Sequence, residues 1–525
     1  MGSNRTEDTP LLIVQVEPPH RADGGDYYYR THAPGIAMAR DEWIYVVNLT
    51  NAHPRKDEIM WEADILILNN ICDPDILPLI TARRTAGRLT VYEIGDDFNA
   101  IEPWNPVYFF FRNEENRDLV CHLAGRCHAL QVPGSELERL YHHLNDACAV
   151  FPNQMLHVPP ERSFKGEAGI VVGWGGSHGH LKDVADIAEP LANWVMSQPN
   201  AVLHLMCSEP IWSLFSRLPA AKKRRMLPGS VEDYYQFLST IDIGLAPLKD
   251  TAYNRSRSDV KFLEYAISGV IPVVADQEPY RTTVTKNETG FVFKAPHELI
   301  DILNLLVKDH SLGARITRKA RQYVLRERLQ LQHGRDRVDF YREHLKRNSG
   351  ENARDGQGCE RFKEWQELEG AIKNGRHLRL TATRFENLLH DGLVMLEIEG
   401  KTKDARKLFE AAEALEPGNY LPHLFGSSTT PDTIDSLSKA LKLNPNSIKA
   451  WVLLGEEFAR RGRVQEALHS FESAVKVDPE YEVPYLRVAA LLRELGDGAK
   501  SEDLLGKVKI MKNRRTISMT APVQG

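Results

Sequence analysis

The 525-residue sequence changes texture once along its length, and that change limits the folds open to it. Up to about Leu345, short β-branched runs alternate with helical stretches, the pattern of βαβ units and parallel sheets. Beyond about Phe362 only helical periodicity is found, so an all-α part is expected there. Between the two, Asn348-Ser349-Gly350-Glu351-Asn352 and Asp355-Gly356-Gln357-Gly358 are polar and glycine-rich, the composition of a linker.

The first part divides again. Strand-like runs at 11–16, 43–49, 63–68, 89–94 and 129–132 are followed by a break at Pro159-Pro160. The pattern then restarts at 168–174 and continues at 202–206, 241–246, 271–274 and 291–293. Two doubly wound α/β sheets in tandem are therefore expected, meeting near residue 160, with the carboxyl ends of their strands aimed into a shared cleft. The helical stretch 316–345 closes the second sheet and passes back to the first. The expected boundaries are 1–160 and 161–347 for the sheet domains, 348–361 for the linker and 362–525 for the helical part.

The helical part contains a repeat. Trp451, Leu454, Gly455, Phe458, Ala467, Phe471, Ala474 and Pro479 fit the tetratricopeptide (TPR) pattern position by position. Adding 34 gives a weaker copy at Tyr485, Val488, Leu492, Gly496, Leu505 and Val508. Subtracting 62 gives an earlier one at Leu396, Gly400, Ala405, Phe409, Ala412 and Pro417, and Ala440 and Pro445 keep the phase of a shortened unit between. Each unit is a helical hairpin that buries its apolar face only by stacking on a neighbour.

Composition narrows the function classes. Lys plus Arg is 66 against 72 for Asp plus Glu, a formal charge of −6, which argues against a chain-wide grip on nucleic acid. No apolar run approaches the ~18 residues of a membrane span, and the N-terminus lacks the form of a signal peptide. Six cysteines occur without a CxxC, and the five-residue gap between Cys121-His122 and Cys127-His128 fits no common zinc template. A cytoplasmic protein is expected.

Four segments carry candidate chemistry. Gly173-Trp174-Gly175-Gly176-Ser177-His178-Gly179-His180-Leu181-Lys182-Asp183 follows the strand that opens the second sheet. Such a turn presents backbone N–H groups to an anion at a helix N-terminus, so Gly175, Gly176 and Ser177 are candidates; a tight turn capped by Ser177 or Asp183 is the alternative. Next, Asn254-Arg255-Ser256-Arg257-Ser258-Asp259-Val260-Lys261-Phe262-Leu263-Glu264-Tyr265 leads through a helix to the strand with Pro272-Val273-Val274. Lys261 near a helix N-terminus opposes the macrodipole, which a bound diphosphate would reconcile, and Glu264 one turn later suits a ribose hydroxyl pair.

These segments resemble the nucleotide-sugar domain of GT-B glycosyltransferases, most closely family 4, over roughly residues 10 to 345. The resemblance implies that Glu264 binds the donor ribose. It also implies that Asn254, Arg255, Ser258 and Lys261 surround the phosphates, as in branches carrying N-R-x-x-S-D-x-K-x-L-E-Y. The family usually has a sugar-contacting Glu eight positions before Glu264, where this chain has Ser256, so its sugar recognition differs. Retention at the anomeric carbon is the implied stereochemistry, and a UDP-, GDP- or dTDP-sugar the implied donor, with no cofactor.

Third, Gly24 and Gly25 stand after the first strand, where family members carry a glycine loop beside the diphosphate. Arg30 supplies positive charge to the cleft or pairs with a surface carboxylate. Fourth, Asp96 and Asp97 lie at the carboxyl end of a first-domain strand, and Asp97 orients the acceptor or takes its proton unless it serves as a helix cap. The aromatic run Trp104, Tyr108, Phe109, Phe110 and Phe111 is assigned to hydrophobic core, with an acceptor platform as the alternative. Asp73-Pro74-Asp75 has a DxD form but lacks the rest of a GT-A metal site, so no essential metal is expected. Lys222-Lys223-Arg224-Arg225 reads as a solvated face.

The expected function is sugar transfer from a nucleotide diphosphate sugar to a protein or glycan acceptor, with Lys261 and Arg30 catalytic beside Asp97. The TPR array would recruit the acceptor or a protein partner, or mediate self-association. A catalytically decayed TPR scaffold and a transferase acting on hydroxymethylated DNA bases are the competing readings.

Overall fold

The computed structural model describes residues 9–19, 24–162, 169–348, 357–369 and 375–518. The first sheet comprises β1 (Leu11–Glu17), β2 (Ile44–Thr50), β3 (Ile65–Asn69), β4 (Leu89–Glu93), β5 (Ala129–Val132) and β6 (Cys148–Val150). The second comprises β7 (Ile170–Gly175), β8 (Ala201–Met206), β9 (Lys223–Met226), β10 (Ile243–Ala246), β11 (Ile271–Ala275) and β12 (Phe291–Phe293). Every residue of β1, β3, β4 and β5 is buried, as expected of parallel strands covered by helices on both faces. Two doubly wound parallel sheets in tandem, followed by helical hairpins, are thus the observed architecture.

Two details differ from expectation. The segment beyond Phe362 is not purely helical: β13 (His377–Arg379) pairs in parallel with β2 and forms the outer edge of the first sheet, whose order is β13-β2-β1-β3-β4-β5-β6. Three residues are too few to register as a period, and the strand is created by its partner. Likewise the basic block at 222–225 is not simply a solvated face, because Lys223–Met226 forms edge strand β9. Lys222 Nζ there reaches the Pro199 carbonyl (2.8 Å), and Lys223 Nζ lies 4.5 Å from the Trp212 ring centroid.

The helix His310–Glu327 completes the second domain with Leu312, Ile316, Ala320 and Val324. The next, Gly334–Asn348, crosses back and packs Val338, Tyr341 and Leu345 on the first sheet beside Leu11, Ile13 and Val91. Phe362 and Trp365 of the helix Gln357–Glu369 are buried in the first domain's other core. Chain on both sides of the expected linker therefore belongs structurally to the first sheet; residues 349–356 of that linker lie outside the described residues.

The hairpins confirm the repeat in detail. Gly400, Gly462 and Gly496 all have positive φ (65°, 71° and 85°) at the same point of their respective units, the turn between paired helices. A Cβ on Gly455 would strike the Phe471 ring, and one on Gly392 would strike Phe409. Yet Gly455 precedes its turn glycine by seven residues and Gly392 by eight. The extra residue is absorbed by a π-helical segment, Val394–Ile398, which keeps the close-packed face in phase.

The array is docked on the first domain. Ile448, Val452, Tyr481 and Val483 share that domain's core, and Arg487 pairs with Glu115 (2.7 Å). Asp75 accepts from the Ser447 hydroxyl (2.7 Å), the Lys449 N–H (3.0 Å) and the Tyr420 hydroxyl (3.3 Å). The DxD-like segment is therefore an anchor for the array. Among the described residues, no helix is long and apolar enough to cross a membrane.

Candidate functional site

Each sheet reverses its winding once, and ligands of such sheets gather at the carboxyl ends of the strands flanking the reversal. In the first sheet the reversal lies between β1 and β3, in the second between β7 and β10. The loops leaving these four strands face one another around a cleft of about 430 Å³. Gly25, Arg30 and Asn70 line it from the first domain; Gly176, Ser177, Leu248, Ser258, Lys261 and Glu264 line it from the second.

Glu264 is the hub. It stands on the helix Val260–Ile267, is 4% exposed, and accepts from the Lys261 ammonium at 3.2 Å and the Tyr29 hydroxyl at 2.7 Å. Lys261 also donates to the Tyr234 hydroxyl (2.8 Å) and lies over its ring. Burial and the Glu264 charge push the Tyr29 phenol well above its usual 10, so it remains a hydrogen-bond donor. Tyr29 comes from the first domain, on a π-turn spanning Tyr28–His32.

On the opposite side, Arg257 donates to His180 Nε2 (2.7 Å) and the Tyr253 hydroxyl (3.0 Å), and lies 3.6 Å from Asp96. Burial and then the Arg257 charge lower the His180 pKa, keeping the ring neutral. Its Nδ1–H consequently donates to Asp183 Oδ2 at 2.8 Å, leaving Nε2 as the acceptor for Arg257. Ser177 and the 3₁₀ turn His178–His180 run directly into the helix Leu181–Ser197, whose positive end thereby faces the cleft.

Several candidates lie elsewhere. Arg255 is half exposed and pairs outward with Asp250 (2.8 Å), because the short helix Ala252–Arg255 turns it away; Arg257, two residues on, takes the cleft position. Asn254 is buried behind the wall, donating to Asp183 (2.8 Å) and the Lys249 carbonyl (3.1 Å). Asp97 is buried and accepts from the Tyr141 hydroxyl (2.6 Å) and the Asn99 N–H (3.2 Å), whereas Asp96 faces the cleft. Gly24 is the N-cap of the turn that places Gly25 on the cleft. Gly175 lets the Tyr234 and Phe237 rings approach the strand, and the Gly176 N–H continues the ladder to the Met206 carbonyl (3.1 Å).

Arg30 sits at the cleft floor rather than on the surface. It pairs with buried Glu93 and donates to the Phe151 carbonyl (2.7 Å) and Asn153 Oδ1 (2.9 Å). Asn153 in turn donates to the Ser258 hydroxyl (3.0 Å), tying the two domains together. The aromatic run is core only in part: Tyr108 and Phe111 pack against the first domain's core, whereas Phe109 is 67% exposed and Phe110 45%. Trp104 instead bridges the cleft, its Nε1–H donating to the Gly179 carbonyl (3.2 Å). Among the described residues no group of three or more His, Cys, Asp or Glu is placed to hold a metal ion.

Tyr29, Asn153, His180 and Arg257 were the residues missed by sequence reasoning, and of the two carboxylates Asp96 rather than Asp97 takes the cleft position. Arg257 and His180 stand inside the two motifs already singled out, so their proximity to those motifs was the available signal. Asn153 had none, since its role depends on partners over 100 positions away.

No family model matches the chain. Superkiller protein 3 of Saccharomyces cerevisiae is 30% identical over 77 residues, 15% of this chain; the chain spans 5% of the length of that relative. Among solved structures, the chain is similar to Anabaena Alr3699/HepE in complex with UDP and glucose (14% identity, TM-score 0.48, 63% of this chain and 100% of that one). It is also similar to sucrose-phosphate synthase from Thermosynechococcus elongatus (12%, TM-score 0.48, 64% and 100%). MamA protein matches 27% of this chain and 79% of its own (19%, TM-score 0.24).

Proposed function

We propose that the chain transfers a sugar from a nucleotide diphosphate sugar to an acceptor hydroxyl of a protein or glycan, in the cleft between its two sheets. The observation that carries this reading is the convergence of buried Glu264, the cations Lys261 and Arg257 and one helix N-terminus on that cleft. Glu264 receives the ribose hydroxyls. Lys261, Arg257 and the Ser177 turn face the diphosphate and offset the charge that builds on it as the glycosidic bond breaks. Because these groups supply positive charge directly, the reaction proceeds without an essential divalent ion. The family resemblance supports retention at the anomeric carbon. The array, fixed to the first domain, holds the acceptor's carrier near the cleft.

Lys261→Ala and Glu264→Ala test the reading with a panel of UDP-, GDP- and dTDP-sugars. Donor turnover should fall by about 10²–10³-fold for Lys261→Ala, the usual consequence of removing one preorganised charge stabiliser. Glu264→Ala should mainly weaken nucleotide binding. Undiminished turnover in both variants would refute the site.

A further inference from the structure

Glu264 carries a hydroxyl already. The Tyr29 phenol reaches it from the other domain at 2.7 Å, Lys261 covers the second carboxylate oxygen, and only 4% of Glu264 stays exposed. Both carboxylate oxygens are therefore already engaged on the side of the cleft where a ribose diol would settle. Tyr29 is itself 6% exposed and sits on a π-turn, a wide helical turn that aims Tyr29 at Glu264 and its neighbour Arg30 at Glu93. A phenol hydroxyl and a ribose hydroxyl are the same kind of donor to a carboxylate.

We propose that Tyr29 is a latch that mimics the donor's ribose: it occupies the hydroxyl site of Glu264, and a nucleotide must displace it to bind. The inference rests on the reading of Glu264 as the ribose carboxylate. The exchange is a swap of one hydrogen bond to Glu264 for another, so it sets affinity and couples donor arrival to release of the first domain. Asn153–Ser258, Asn105–Tyr253 and Trp104–Gly179 still join the domains when Tyr29 leaves, so the cleft loosens without separating. Lys261 stays in place, since its ammonium belongs to the same wall as Glu264 and serves the phosphates that follow the ribose.

Tyr29→Phe removes the competing hydroxyl and keeps the ring. Binding of UDP, GDP and dTDP to the full chain is measured by calorimetry, with melting temperatures of the free and nucleotide-loaded protein. The variant should bind its preferred nucleotide about tenfold more tightly, the worth of roughly one hydrogen bond to a charged acceptor. The free protein should melt lower than wild type while the loaded forms melt alike. In a Glu264→Gln background the same substitution should change affinity far less. Weaker or unchanged binding by Tyr29→Phe, with wild type binding normally, overturns the latch and leaves the ribose site standing. Absence of nucleotide binding by both proteins overturns the site and the latch together.

Discussion

The helix that carries Lys261 and Glu264 is held by a buried ion pair at its start. Asp259, its N-cap, accepts both guanidinium branches of Arg328, at 2.6 and 3.1 Å, and the Thr283 hydroxyl at 2.7 Å. Arg328 also donates to Gln154 Oε1 and the Asn153 carbonyl (both 2.8 Å), so it joins the site helix to the residue that supports Arg30. Both side chains are only about a tenth exposed, so solvent screening is slight. Arg328→Met keeps the apolar stem but strands a buried carboxylate. Breaking such a pair costs about 3–5 kcal/mol. For a domain of this size that lowers the melting temperature by roughly 10 °C. Thermal unfolding followed by calorimetry reads it directly, and nucleotide affinity measured below the transition should fall as well. Arg328→Met with Asp259→Asn should recover much of the loss, because the orphan charge is then gone. A loss under about 1 kcal/mol, or a double variant no better than the single one, would refute the argument that the pair is desolvated and structural.

Other outcomes are as definite. His377 of β13 is buried, accepts from Asn48 (2.9 Å), and burial followed by the His32 charge drops its pKa from 6.5 to about 3. The folded state therefore binds this proton less readily than the unfolded one: the stabilisation is complete above pH 6.5 and is lost as pH falls, by about 1.4 kcal/mol per unit. His377→Gln should flatten that part of the pH–stability curve, and an unchanged slope would count against it. Asp75→Ala deletes three hydrogen bonds to the array anchor and should cost about 3 kcal/mol, read as faster amide exchange across 447–452 with the first sheet's core unaffected. Unaltered exchange there would remove Asp75 from its anchoring role.

Periodic features were legible without coordinates. Strand runs and the TPR spacing depend on apolar residues recurring at fixed intervals, and each interval names one face of one element. The two sheets, their junction and the equivalent turn glycines 400, 462 and 496 therefore follow from the chain alone. Loop side chains carry no such period. Whether Arg255 or Arg257 enters the cleft, and whether Asp96 or Asp97 does, depends on the path of a few backbone angles and on which partner waits on each side. The same holds for β13, which is a strand only because β2 offers unpaired backbone groups, and for Asp75, whose carboxylate is claimed by residues more than 340 positions away. Local sequence thus determined the elements and their faces. Tertiary structure decided which polar groups meet, because burial makes an unpartnered polar group costly and only the assembled fold brings distant partners within hydrogen-bond reach.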